Sequence, residues 1–166
     1  MTQLDFTDCE PIRTAERQER HDAFWGPLNE VRRTATRVAC DFFAFACEAN
    51  LQMATSRRHE KTDAEKSQEA FVRVQMYSKF AIEKFRLFGR LTGCVDDAEA
   101  IERLDRLVGY SRQTGWQIYP GWWLKNPQKT TAYFIDKLKT YAGQRIAYLE
   151  MLRKVAEAHA KEGGAK

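Results

Sequence analysis

The chain has 166 residues, 27 of them Lys or Arg against 23 Asp or Glu, for a formal net charge of +4. That mild excess permits a polyanion or an acidic partner without demanding one. Its apolar share of 43% and charged share of 30% are those of an ordinary globular chain rather than a disordered one. A compact domain of this length buries roughly 70% of the surface its unfolded chain exposes, so a true core is expected.

The first residues, MTQLDFTDCEPIR, are acidic and hold no apolar run, so a secretory signal is not expected. No stretch of ~20 apolar residues is present to span a bilayer. A single helical domain over 1–166 is expected, loosely ordered at 1–10 and 163–166. A first short helix is expected from Pro11 to Trp25, because proline at an early helical position gives up an N–H that has no partner anyway. Its apolar anchors are few: Ile12, Ala15, Ala23 and Phe24.

Between Pro27 and Gly89 there is no glycine and no proline. This span is too long for one ordinary helix and reads as two. The first is predicted from about Pro27 to Arg57. Leu28, Val31, Ala35, Val38, Phe42, Phe45 and Ala49 recur at spacings of three and four, the stripe that an amphipathic helix buries. Ala39, Phe43 and Ala46 widen it, and Glu30, Thr34, Arg37, Asp41, Glu48, Gln52 and Thr55 form the opposite face. The charged segment RRHEKTDAEK at 57–66 makes the turn. Thr62 and Glu65 fit a capping box, in which hydroxyl and carboxylate satisfy amides of the first turn. The second helix is predicted over 63–91, with Phe71, Val74, Ser78, Ala81, Phe85 and Phe88 as its stripe and Gly93 as its stop.

Asp96 or Asp97 caps the next helix, whose inward residues are Ile101, Leu104, Leu107 and Val108. Gly109 inside it costs ~1 kcal/mol or marks a close helix contact, and Gly115 ends it. Residues 115–129, GWQIYPGWWLKNPQK, form a loop. Thr130 or Thr131 caps a last helix to about Glu162, with Phe134, Leu138, Ala142, Leu149, Leu152 and Val155 or Ala156 as its apolar stripe. The expected fold is all-α, a bundle of four to five helices built on a long antiparallel hairpin.

The search for catalytic chemistry is mostly negative. There is no glycine-rich phosphate loop, GxSxG, HExxH or EF-hand pattern, and no Glu-x-x-His of the kind that a carboxylate-bridged metal pair needs. The four cysteines, Cys9, Cys40, Cys47 and Cys94, show no CxxC spacing. Buried thiols in a reducing, cytoplasmic compartment are the plain expectation. Asp41 and Glu48 sit among aromatics, but their spacing puts both on the polar face, where Arg37 and Asp41 form an i,i+4 pair. The chain reads as non-enzymatic, with no cofactor or metal.

Two features point to binding instead. Trp116, Tyr119, Trp122 and Trp123 stand together beside Arg112, Lys125 and Lys129. These aromatics either seal the open end of the bundle, or anchor a protein interface, or stack on unpaired bases while the cations meet phosphates. On the second hairpin helix Lys79, Arg86 and Arg90 recur at helical spacing, interrupted by Glu83. Such a stripe is ordinarily a solvated face, but it can also meet a phosphate backbone. Arg32, Arg33, Arg57 and Arg58 carry no specific signal. The functional expectation is a helical accessory subunit of a larger protein assembly, one handling RNA or DNA. The alternative is a protein adaptor or a self-assembling bundle without a nucleic-acid role.

Overall fold

The protein is described by a computed structural model covering residues 9–115, 117–123, 125 and 130–164; for 9–13 and 145–150 only the backbone is described. Five α-helices follow in order: α1 (Cys9–Trp25), α2 (Arg32–His59), α3 (Ala64–Leu91), α4 (Asp97–Thr114) and α5 (Thr131–Gly163), with no strand among the described residues. The all-α expectation holds. The N-terminal residues 1–8 and the tail 165–166 lie outside the description.

The hairpin is the frame. α2 and α3 each have 28 residues and run antiparallel, zipped by one apolar seam. Phe42, Phe43, Phe85 and Phe88 are fully buried, and Ala35, Ala39, Ala46, Val74 and Ala81 fill the spaces between them. Phe42 and Phe85 meet across the seam at 6.0 Å between ring centroids. Phe45, Val31 and Phe71 are only half-buried. At the turn, the Ser56 and Ser67 hydroxyls each donate to the other's backbone carbonyl at 3.2 Å. Near the middle, Lys84 reaches Asp41 at 3.2 Å, so Asp41 pairs across the hairpin rather than with Arg37 on its own helix.

The helix ends follow local chemistry, with two corrections. Gly26–Leu28 forms a 3-10 turn and α2 starts only at Arg32, because the Leu28 carbonyl accepts from Val31 N (3.1 Å) before the α register begins. The cap of α3 is Asp63, not Thr62: its carboxylate accepts from the Lys66 amide at 3.0 Å. That hydrogen bond lowers the Asp63 pKa, helped by a hydrogen bond from the Lys66 side chain and then by its charge. Asp96 caps α4, accepting from Glu99 N at 2.8 Å, and Thr130 caps α5. Gly93 and Gly115 close α3 and α4 with φ of 70° and 74°, the left-handed region that side chains resist.

The remaining helices cover the hairpin. α5 lies chiefly along α3, and α4 bridges α3, α5 and α1. Leu104, Leu107 and Val108 face inward and Ile101 half so. An added Cβ at Gly109 would meet nothing within 4 Å, so this glycine marks no close contact. On α1 the buried anchor is Trp25, with Phe24 half-buried, while Ala15 and Ala23 are exposed. Cys40, Cys47 and Cys94 are free and half-buried.

The apolar stripe of α5 has two fates. Phe134, Ile135 and Leu138 are buried, and Ala142 is half-buried. The Leu149 side chain lies outside the description. Met151, Leu152 and Val155 are exposed, at 49%, 43% and 46%, as are all described residues beyond. The reason is length. Tyr141 meets Phe71 and Met53, close to the hairpin turn, so the rest of α5, at 1.5 Å per residue, runs past the end of the frame.

Two core substitutions should behave in opposite ways. Truncation of fully buried Phe85 to alanine should cost ~3–5 kcal/mol. Ser78, equally buried, has a hydroxyl with no hydrogen-bond partner among the described residues. Ser78→Ala should therefore be neutral or stabilising, since it removes a desolvated group that gains nothing in return. Urea unfolding midpoints check both. A sharp loss at Ser78→Ala would mean that its hydroxyl is bonded.

Candidate nucleic-acid interface

The aromatic loop resolves into a plug and a rim. Pro120 and Gly121 form a turn in which Trp123 N donates to the Pro120 carbonyl at 2.9 Å. The turn drives Trp123 into the bundle, where it is 2% exposed. Its indole stacks on Phe134 at 4.6 Å and stands edge-on to Phe43 at 5.0 Å. Its Nε1–H donates to Thr131 Oγ1 at 3.3 Å, and the Thr131 hydroxyl donates in turn to Asp105 on α4. One residue thereby joins α2, α4 and α5. Trp122 and Tyr119 are half-buried against this core and Lys125 is exposed. Trp116 and Lys129 lie outside the described residues. Trp123 is thus held in the core, and among the loop's described aromatics Trp122 and Tyr119 offer surface.

Asp105 titrates unusually for a physical reason. As a residue it is exposed, but its carboxyl end meets Thr131 at the start of α5, and partial burial raises its pKa. The hydrogen bond from Thr131 opposes this and is the smaller effect. Cys40 is likewise raised, first by burial and then by the neighbouring Asp41 charge, which leaves little thiolate for nucleophilic work. Burial also raises Tyr141.

The basic stripe on α3 is exposed at Lys79, Arg86 and Arg90. Lys79 lies 3.9 Å from Glu83, a pair of small consequence at the surface. Arg86 and Arg90 have no carboxylate within 4.0 Å among the described residues, and Arg112 is exposed in the last turn of α4.

A further cluster was not visible in the sequence. α1, the start of α2 and the end of α4 line two open, adjoining depressions, the lobes of one cleft, which share Tyr110 and Thr114. The wider lobe, about 480 Å³, is lined by Arg32, Arg33, His21, Trp25 and Thr36 and by no carboxylate. The narrower, about 160 Å³, adds Arg17, Arg20, Gln113 and Glu16. Arg20 is held by Glu16 at 3.2 Å and donates to Gln113 at 3.3 Å, tying α1 to α4. Arg32 lies over the Trp25 ring, 5.5 Å from its centroid. Its Nη1 is 3.4 Å from His21 Nε2. A guanidinium can only donate, so His21 accepts there and donates from Nδ1 to Asp22, 3.2 Å away. Tyr110 is stacked on Phe24 at 5.7 Å. Arg17 and Arg33 are exposed and lack a carboxylate within 4.0 Å among the described residues.

The start of α2 is electrostatically odd. It has no side-chain cap and no acidic residue in its first turn, whereas α3 and α4 have both. Two arginines at the positive end of a helix oppose its dipole.

Among the described residues, no three His, Cys, Asp or Glu side chains are grouped to hold a metal, and no helix is long and apolar enough to cross a membrane. The chain matches no protein-family model, no curated protein and no solved structure.

The Asp105 relay predicts a pH effect. A carboxyl whose folded pKa is raised contributes stability that is complete below its unfolded pKa and is lost as pH rises through the folded value. Asp105→Asn keeps an acceptor for Thr131 and removes the charge. It should raise the thermal midpoint at neutral pH, and the gain should vanish below the ordinary carboxylate range. Thermal melts of both proteins across that range check this; a gain that persists in acid would refute the assignment.

Proposed function

We propose that this chain is a non-catalytic helical subunit of a nucleoprotein assembly that holds nucleic acid by its phosphates. One observation carries the reading: four arginines, Arg17, Arg20, Arg32 and Arg33, border one cleft whose wider lobe has no carboxylate in its lining. Arginine presents a planar fork of donors that fits phosphate oxygens, and a concentration of such forks neutralises several phosphates at once. Arg86 and Arg90 on α3 and Lys125 beside Trp122 are exposed cations suited to flanking contacts. The non-catalytic part is supported by the described groups with shifted pKa: Cys40, Asp63, Asp105 and Tyr141 sit on separate elements, and none of them lines the cleft.

The projecting end of α5 favours a second reading. Exposed Met151, Leu152 and Val155 on one helix are an apolar face, suited to another protein subunit or a second copy of this chain. Salt separates the two readings, because phosphate contacts weaken steeply as salt rises and an apolar contact does not.

The test is binding to single- and double-stranded RNA and DNA at two salt concentrations. The wild type is compared with Arg17→Ala/Arg33→Ala, Arg86→Ala/Arg90→Ala and Trp122→Ala. Each lost phosphate contact should lower the salt slope by roughly one unit, whereas loss of a stacking ring should cost ~1–3 kcal/mol with little change in slope. If the wild type binds none of these at low salt, the adaptor reading replaces this one.

A further inference from the structure

The cleft contains rings as well as charge. His21 keeps 30% of its side chain exposed, at 6.1 Å from Tyr110 and 6.4 Å from Trp25. Tyr110 lines both lobes, and its hydroxyl has no partner among the described residues. Arg32, 5.5 Å from the centroid of the Trp25 ring, adds a cation to the same wall. Aromatic rings and guanidinium planes are what unpaired bases stack against. A duplex keeps its bases stacked inside and offers phosphates and groove edges instead. The wider lobe, about 480 Å³, is open to solvent.

We propose that the cleft is a single-strand site: an unpaired base enters the wider lobe against His21 and Tyr110, and the flanking phosphates meet Arg33 on one side and Arg17 on the other. This rests on the nucleic-acid reading above and adds strand selectivity to it. Glu16 pairs with Arg20, so the phosphates are left to Arg17 and Arg33, which have no carboxylate within 4.0 Å among the described residues.

The experiment uses the full chain and three labelled probes of equal length at low salt: oligo(dT), a strand of abasic sugar-phosphate, and a blunt DNA duplex. Oligo(dT) should bind about tenfold tighter than the abasic strand, the contribution of one stacked base, and tighter than the duplex. His21→Ala, whose fold is checked by circular dichroism, should remove most of that advantage and leave the salt slope unchanged. Arg33→Ala should reduce the slope for all three probes. Equal binding of oligo(dT) and abasic strand, or tighter binding of the duplex, overturns the single-strand site while leaving phosphate binding standing. Failure of all three probes to bind overturns both.

Discussion

The position of Trp123 is the constraint on which the rest of the structure depends. The α2–α3 hairpin by itself is a two-helix layer with one wet face. Burying that face requires α4 and α5 to lie over it, and a chain that must reverse between them leaves an open corner. Trp123 fills that corner. Its ring satisfies the apolar demand of Phe42, Phe43 and Phe134, and its N–H begins the chain through Thr131 to Asp105. An aromatic ring with a polar edge suits such a place, because neither the core nor the hydrogen-bond ledger is left short. The raised pKa of Asp105 is the electrostatic cost of that arrangement.

Much of the frame was legible because it is written locally. A seam of apolar residues three and four apart depends on nothing but helix geometry. The caps of α4 and α5 narrow to neighbouring pairs, Asp96 or Asp97 and Thr130 or Thr131, and the two left-handed glycines are likewise read from their immediate neighbours. The misjudged details required knowledge of a second element. Thr62 and Asp63 are both competent caps, and which one acts depends on how the turn closes. Asp41 has Arg37 one turn away, yet the packed hairpin brings Lys84 within reach. The α5 stripe continues to Leu152 and Val155 whether or not anything covers it, and periodicity cannot report where the neighbouring helices end.

The candidate site was less legible than the fold for the same reason. The loop's aromatics were conspicuous because they are adjacent, but adjacency does not say which ring turns inward. The structure gives that role to Trp123 and leaves Trp122 and Tyr119 at the rim. The cleft was invisible because its walls come from Arg17–Arg33 on one side and Tyr110–Thr114 on the other, about half the chain apart in sequence. No spacing rule joins them. A hint, Arg32-Arg33 at a helix start with no acidic residue in its first turn, appeared only when the structure moved that start from Pro27 to Arg32.

That hint has physical weight. At the starts of α3, α4 and α5 a side-chain oxygen accepts from an amide of the first turn, and acidic residues add to this in α3 and α4. All three starts obey the ordinary preference of a helix N-terminus for a capping oxygen, and α3 and α4 also its preference for negative charge. α2 departs from it twice, by lacking a cap and by carrying two cations. Each departure disfavours the isolated helix, and the long buried seam with α3 supplies stability enough to tolerate them. Sequences tend to break local rules where function asks for it. Here the broken rule, the lobe without a carboxylate and the cluster of rings coincide at one end of the bundle. An anionic partner seated there would relieve the repulsion that the fold by itself leaves in place at the start of α2.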